Sequence, residues 1–235
     1  MTTEPVELSA QFLRAIRYDE LTDEFERRLA DWDSDDLAAR LDTDGARLAF
    51  WCNLYNGATQ QLLDTHREKY ENRRTFFSLP ALTVAGETLS LDDIEHSILR
   101  RSYSKLTFGY IRSPFRDGFA EEHELSERDP RVHFALNCGA ASCPPIAAYT
   151  REEIHDQLDL TATGYLDQTV EYDPEENTVA VPRVMRWFRG DFSAVGGRIP
   201  FLRRFDQLPD DVEPGIAYHD WDWSLAPGKF SDDPT

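Results

Sequence analysis

Lysine is scarce in this sequence of 235 residues: Lys69, Lys105 and Lys229 are the only lysines, and arginine supplies the other 22 of the 25 basic side chains. Against them stand 44 acidic side chains, which gives a formal net charge of −19. Because such a surface repels phosphates, the charge argues against a nucleic-acid partner. A surface with many carboxylates and almost no lysine favours a halophilic host, because salt in the cytoplasm screens most of the self-repulsion.

Long apolar runs and targeting signals are also missing. No apolar run approaches the ~20 residues that cross a bilayer, so we expect no membrane partner. Residues 1–5 have neither the basic start nor the apolar core of a signal peptide. The three cysteines are an odd number and do not make a disulfide framework. We therefore expect a cytoplasmic protein with reduced thiols.

Motifs that hold phosphates, catalytic serines or zinc are absent as well. The sequence has no Gly-rich phosphate loop, no G-x-S-x-G elbow and no H-E-x-x-H helix. We accordingly expect no cofactor.

Helical periodicity dominates the first part of the chain. It predicts a helical N-terminal extension over 1–40 and a long helix over roughly 45–70, whose first half is apolar nearly all round and should be buried. Asn53, Asn56 and Gln60 fall at i, i+3 and i+7 and form one polar stripe on that helix. Two interpretations stay open: the amides bond neighbouring backbone, or the stripe faces a site.

The later part of the chain mixes helices and strands. Ser90 and a capping box at Thr150 predict helix starts. Alternating apolar residues predict strands at 106–110, 131–137, 170–172, 178–181 and 216–223, with a hairpin joining the third and fourth. We expect one α+β domain with helices packed on a small, mainly antiparallel sheet. Its family-like part would span 41–225, followed by an acidic tail at 226–235.

One stretch, 129–145, gathers a histidine and two of the three cysteines. The strand alternation predicts that His133 projects away from the buried apolar face. Beyond it, 139–142 is a loop of very small residues whose backbone N–H groups can approach a ligand, and two prolines stiffen Cys143. A rigid cysteine near a histidine and free amides is the usual construction of a thiolate nucleophile.

Three interpretations of this stretch stay open. Cys138 and Cys143 are small buried hydrophobes beside a satisfied His133, or they form a thiol-based hydrolytic or transferase site. The third is a metal or redox-dithiol site, in which Cys52 or His96 would have to complete a ligand set.

Other candidate residues carry weaker signals. Glu95 can orient a base, although an exposed helix carboxylate is the commoner outcome. Trp187, Trp221 and Trp223 are more typical of a core than of a ligand platform. Asp191 and Asp222, next to aromatic residues, are interpreted as caps or as partners of an arginine.

Several motifs together resemble a family of domains of unknown function, the one numbered 547. They follow each other in order over about 41–225: F-W-C-N-L-Y-N at 50–56, L-S-L-D-D-I-E-H at 89–96, D-P-R-V-H-F-A-L-N-C-G at 129–139, S-C-P at 142–144, V-M-R-W-F-R-G-D-F at 184–192 and D-W-S-L at 222–225.

The resemblance implies no established reaction. Some family members are joined to glutaredoxin-like or DEP-type modules and plant members to coiled coils, which implies thiol chemistry or scaffolding. By fold analogy, a helix bearing Trp51 and Asn53 together with a strand bearing His133 is similar to papain-like and transglutaminase-like hydrolases. Cys52 stands where the family more often has an aliphatic residue, so it is not expected to be essential.

The leading hypothesis is a thiol-dependent hydrolase or acyl transferase acting on a small molecule or peptide. Cys143 is the nucleophile with Cys138 as the alternative, His133 is the base, and Asn53 or Asn137 orients the substrate or holds the oxyanion. The competing hypothesis is a non-catalytic interaction module. Residues expected to line the pocket are Trp51, Tyr55, Asn56, Glu95, Asn137, Ser142, Trp187 and Asp222.

Overall fold

Helices provide most of the architecture, which a computed structural model describes for residues 4–231. In chain order the α-helices are α1 (Pro5–Arg17), α2 (Asp23–Ala30), α3 (Ser34–Arg40), α4 (Asp44–Thr65), α5 (Arg73–Phe77), α6 (Gly118–His123), α7 (Ile154–Thr169), α8 (Val184–Trp187) and α9 (Arg198–Arg204). A π-helix spans Asp93–Leu99, and 3-10 helices span Arg67–Glu71, Lys105–Thr107, Pro130–Phe134 and Asp191–Val195. Within the described residues, no helix is both long enough and apolar enough to cross a bilayer.

The strands form two small sheets. They are β1 (Pro80–Val84), β2 (Glu87–Ser90), β3 (Glu171–Asp173), β4 (Thr178–Val181) and β5 (Gly215–Tyr218). β1 pairs with β2 antiparallel, and the hairpin expected at 170–181 is confirmed as β3 and β4. β5 joins that hairpin parallel to β4. The α+β fold class is therefore confirmed, with two separate sheets rather than one.

α4 lies at the centre of the larger core. Thr43 caps it by accepting the N–H of Ala46, and its apolar circumference is buried as expected. α1 packs against it at Gly57, where the Phe12 ring occupies the space that a side chain would need. A Cβ on that glycine would lie 2.6 Å from Phe12 Cε1. The helix expected to reach residue 70 ends at Thr65, where a 3-10 turn takes over.

Two strand predictions were wrong. Residues 106–110 form a 3-10 turn and a tight loop, and 131–137 begins in the 3-10 helix Pro130–Phe134. The Asp129 side chain accepts the N–H of Arg131, and Pro130 sets a helical φ at the first position. The apolar alternation carried no information about faces, because Pro130–Phe134 is buried on all sides.

One of the two predicted helix caps is confirmed. Ser90 Oγ accepts the N–H of Asp93, and the Asp93 carboxylate accepts the N–H of Ser90, at 3.2 and 2.9 Å. Thr150 is not a cap, because α7 begins only at Ile154 and the Thr150 N–H donates to Gln157. The sequence spacing of a capping box is therefore present at Thr150, but the side chain does not cap the helix.

Two clusters of buried apolar side chains make up the interior. The first surrounds α4 and includes α1, and the second lies among α7, β4 and α9. The 3-10 helix Pro130–Phe134 joins them, because Val132 packs into the first cluster and Phe134 into the second. The predicted tail at 226–235 is described as far as residue 231. The Ser231 N–H donates to the carbonyl of Ile146, and the Gly228 N–H donates to the Gln60 side chain.

Candidate functional site

A cavity of about 350 Å³ lies where the two clusters meet. Its walls are mainly apolar and aromatic, formed by Tyr55, Phe77, Phe108, Leu136, Val184, Trp187, Phe188, Trp221 and Trp223. Its remaining lining residues are polar or titratable: Asp92, Glu95, His96, Lys105, His133, Cys138 and Cys143. A wider cleft of about 720 Å³ beside Glu4 and Arg151 contains none of the expected site residues.

Cys138 and Cys143 meet at the cavity wall. Their sulfur atoms are 2.7 Å apart, and the backbone N–H of Cys138 donates to Cys143 Sγ at 3.1 Å. Gly139 makes the turn possible: its φ is +85°, and a Cβ there would lie 2.6 Å from the Leu63 side chain. The loop therefore brings two donors onto one sulfur.

Asn137 and Lys229 hold this loop in shape. The Asn137 amide donates to the carbonyl of Pro144 at 2.7 Å and accepts the N–H of Gly139 at 2.9 Å. Lys229 Nζ donates to the carbonyl of Cys143 at 2.6 Å, which places a positive charge beside the thiols. Asn137 is thus a loop support and not one of the cavity-lining residues.

The two thiols have opposite pKa shifts. Burial would raise the pKa of Cys143, but the hydrogen bond from Cys138 Sγ, backbone hydrogen bonds and the charge of Lys229 outweigh it and lower that pKa. The pKa of Cys138 lies well above its usual value, because it donates to Cys143 and is itself buried. Cys143 is therefore the better thiolate of the pair.

His133 is held by a buried carboxylate. Its Nε2 lies 2.9 Å from Asp191 Oδ2, and its ring stacks on Phe188 with centroids 4.5 Å apart. Asp191 also accepts from Arg100 Nε at 2.6 Å and Arg128 Nη1 at 2.8 Å. Although burial would raise the pKa of Asp191, His133 and Arg100 hold it well below the usual range.

The charge of Asp191 fixes the orientation of the imidazole. A carboxylate only accepts, so Nε2 of His133 carries the hydrogen; among residues 4–231, Nδ1 has no hydrogen-bond partner. Among residues 4–231 no hydrogen bond joins His133 to either cysteine. The expectation that His133 projects away from the core was wrong, since it is only 5% exposed and lies between the two clusters.

The π-helix Asp93–Leu99 supplies the opposite polar wall. Arg100 Nη1 lies 3.0 Å from His96 Nδ1 and can only donate, so Nδ1 accepts and the ring hydrogen lies on Nε2. That Nε2 lies 3.3 Å from Asp92 Oδ1. Glu95 accepts from the Tyr55 hydroxyl at 3.3 Å. π-helices occur often at functional sites.

The polar stripe on α4 belongs to the core. Asn53 holds both backbone groups of Tyr149, each at 2.9 Å, and Asn56 accepts the N–H of Asn137 and donates to the carbonyl of Ala135. Neither amide lines the cavity. The structure therefore places Asn53 and Asn56 in the core, bonded to other segments of the chain, and not at the cavity where Asn53 was expected to orient a substrate and Asn56 to line the pocket.

Three further residues expected at the pocket lie elsewhere. Trp51 is fully buried against Phe50 and His123. Ser142 belongs to the loop from Cys138 to Cys143, the thiol loop, where its Oγ accepts the N–H of Asp222 at 2.8 Å; neither residue lines the cavity. Tyr55, Glu95 and Trp187 do line the cavity.

Other lining residues were missed or placed in the core. Trp221 and Trp223, which the sequence favours as core residues, line the cavity beside Trp187, with ring centroids of the three indoles 5.3 to 5.9 Å apart. Asp191 is the arginine partner that one interpretation proposed. The signal for it was an acid flanked by Phe188 and Phe192, since a carboxylate in such surroundings needs a charged partner.

No ligand set for a metal is present in the part of the chain that the structure describes. It has no group of three or more His, Cys, Asp or Glu placed to hold a metal ion. Cys52 cannot complete one. Its side chain is wholly buried in the α4 core, and burial raises the pKa of its thiol.

Comparison with known proteins gives one family. The family model described as "Protein of unknown function, DUF547" matches residues 39–166. The match contains α4, the π-helix, His133 and both cysteines of the cavity, and it ends before Trp187 and Asp191. No curated protein and no solved structure matches the chain.

Proposed function

This chain belongs to the DUF547 family of proteins of unknown function, and we propose that it is a thiol-dependent hydrolase or acyl transferase. In this proposal Cys143 is the nucleophile and His133 the general base. The substrate is a small molecule or peptide that enters the aromatic cavity.

The observation that carries the proposal is the environment of the Cys143 sulfur. It accepts from Cys138 Sγ and from the Cys138 backbone N–H, next to the charge of Lys229. These donors stabilise a thiolate, which is the reactive form of cysteine. The same cavity contains His133, whose imidazole is oriented by Asp191. A thiolate and an oriented imidazole that line the same cavity are the two groups that acyl transfer uses.

The reaction follows from these roles. His133 Nδ1 takes the Cys143 proton, directly or through one water, and the thiolate attacks the carbonyl carbon of an ester or amide. The bond to the leaving group breaks, and that group takes the proton back from His133. Water or a second nucleophile then releases the acyl group from the thioester and restores the thiol.

Alkylation with iodoacetamide, followed by peptide mass spectrometry at a series of pH values, tests this proposal. We expect Cys143 to react with an apparent pKa below ~8.5, the value of a free cysteine. An acyl p-nitrophenyl ester should leave a thioester on Cys143, and Cys143→Ser should abolish it. Cys52→Ala is the matched control and should change neither result. An unreactive Cys143 in the folded protein would contradict the proposal and leave a non-catalytic module.

A second candidate function, thiol–disulfide exchange, is favoured by the 2.7 Å between the two sulfur atoms. Cys143 attacks a substrate disulfide, forming a mixed disulfide and releasing one thiolate. Cys138 then attacks Cys143 Sγ, which closes a Cys138–Cys143 disulfide and releases the second thiol. The protein dithiol is oxidised and the substrate disulfide is reduced.

Cys138→Ser separates the two candidates. If the protein is a redox enzyme, equilibration with glutathione buffers will give an internal disulfide in the native protein, and the variant will stop at the mixed disulfide with Cys143. If it is an acyl enzyme, the variant will still form the thioester.

We also propose that the protein works in a high-salt cytoplasm, on the basis of 44 acidic against 25 basic side chains. Screening of this charge stabilises the folded state. The melting temperature should therefore rise as KCl increases from 0.1 M to about 2 M. A melting temperature that is highest at low salt would contradict this.

A further inference from the structure

The aromatic wall of the cavity is built around three indoles. Trp187 and Trp223 stack with an interplanar angle of 26°, and Trp221 lies against both. Trp223 is 36% exposed, a large exposure for such an apolar side chain. Aromatic faces carry negative electrostatic potential and attract cations within about 6 Å of the ring.

The two carboxylates of the cavity differ in their partners. Asp92 lies 3.3 Å from Lys105 Nζ and 3.3 Å from His96 Nε2, so its charge is balanced. Glu95 has no lysine or arginine within 4.0 Å among residues 4–231. Its nearest basic side chain is His96, whose Nδ1 is 3.5 Å away.

His96 cannot balance the charge of Glu95. Its Nδ1 faces Arg100 Nη1 at 3.0 Å, and a guanidinium only donates, so no hydrogen is left on Nδ1 for the Glu95 carboxylate. The Tyr55 hydroxyl is a neutral donor. Glu95, with a side chain only 16% exposed, therefore holds an unpaired negative charge in a cavity with apolar walls.

An unpaired charge of this kind is costly to bury, and a cation that entered the cavity would offset the cost. From this we infer that the cavity binds ligands with a compact organic cation, such as a trimethylammonium or a protonated amine, set against Glu95 and the indoles. An anionic head group would meet Glu95 unfavourably. This deepens the proposed function, because it states the class of substrate that would present its acyl group to Cys143.

Choline and its neutral carbon analogue, in which a tert-butyl group replaces trimethylammonium, test the charge preference at equal shape. Titration calorimetry on the full chain should show choline binding about tenfold more tightly, which corresponds to ~1.4 kcal/mol. Glu95→Gln should remove most of that preference by weakening choline and leaving the analogue unchanged. Glu87→Gln, an exposed carboxylate on β2, is the matched control and should leave both affinities unchanged.

Equal affinities for the two probes, or an unchanged preference in a folded Glu95→Gln variant, would overturn the inference. Trp223→Leu provides an independent check, since it should weaken choline more than the analogue. Alkylation of Cys143 with iodoacetamide, measured on the same wild-type protein, reports thiol reactivity separately from choline binding. If choline binds but Cys143 is unreactive, the enzyme proposal is rejected and the ligand class stands. If Cys143 is reactive but choline does not bind, the ligand class is rejected and the enzyme proposal stands.

Discussion

The polar face of α4 and the cavity wall both contain buried polar side chains, but these side chains differ in how many of their polar atoms have protein partners. On α4 the Asn53 amide donates to Ser9 and Tyr149 and accepts from Tyr149, so both of its polar atoms have protein partners. In the cavity, Glu95 has one neutral donor, and His133 Nδ1 has no hydrogen-bond partner within the described residues. A buried polar group with all its partners in the protein stabilises the fold, whereas one with unused capacity is available to a ligand.

The two regions are also connected. Asn56, on the α4 side, holds the carbonyl of Ala135 and the N–H of Asn137, immediately before the thiol loop. Asn137 in turn holds Gly139 and Pro144. The amides of Asn56 and Asn137 therefore fix the position of the loop that carries Cys138 and Cys143, although they do not line the cavity.

Substitution of Asp191 should have the largest effect on stability. This buried carboxylate lies behind the cavity wall, and both of its oxygens have protein partners. Asp191→Ala should cost about 3–5 kcal/mol of unfolding free energy, because it leaves buried Arg100 without its counter-charge. Urea denaturation measures this. Asp220→Ala, which removes an exposed partner of Arg183, is the control and should cost less than about 1 kcal/mol. Equal losses would remove the distinction between buried and exposed partners.

His123 is a titratable group on the α4 side whose Nδ1 is buried without a partner, as are Trp51 Nε1 and Gln60 Nε2 on α4 itself. Burial lowers its pKa from 6.5 to about 4, so the unfolded chain binds the proton first as pH falls. The contribution of neutral His123 to the free energy of unfolding should be fully present above pH 6.5, and that free energy should fall by about 3 kcal/mol by pH 4. Denaturation over that range measures it. His123→Gln should flatten the profile relative to exposed His66→Gln, and identical profiles would contradict it.

The α4 amides should separate stability from reactivity. Asn53→Ala and Asn56→Ala should each cost about 2 kcal/mol, because each leaves a buried N–H and a buried carbonyl unsatisfied. Only Asn56→Ala should also slow alkylation of Cys143, since it releases the segment that precedes the thiol loop. If Asn53→Ala slowed alkylation equally, the two amides would not have separate roles.

The thiols should show the smallest effect on stability and the largest on chemistry. Cys138→Ala removes a donor from the Cys143 sulfur but few packing contacts, so we expect a loss of about 1 kcal/mol. The apparent pKa of Cys143 should rise, measured by alkylation against pH. Cys52→Ala in the α4 core is the control and should leave that pKa unchanged. A rise in both variants would point to a change of the whole fold.

Local sequence patterns predicted the features that depend on near neighbours. The β3–β4 hairpin and the cap at Ser90 follow from residues within a few positions of each other. The site depends on distant residues: His133 meets Asp191 58 positions later, and Arg100 meets it from 91 positions before. No periodicity records such pairs, and for the same reason the partners of Asn53 and the exposure of Trp223 could not be predicted.

The position of Lys229 has a consequence for how the site comes into being. This side chain bonds to the carbonyl of Cys143, and Trp221 and Trp223 complete the cavity wall from the same late segment. During synthesis the thiol loop leaves the ribosome dozens of residues before them. The growing chain therefore carries both cysteines before the charge of Lys229 and the indole walls are in place, so the proposed site is complete only after the segment from Trp221 to Lys229 has docked.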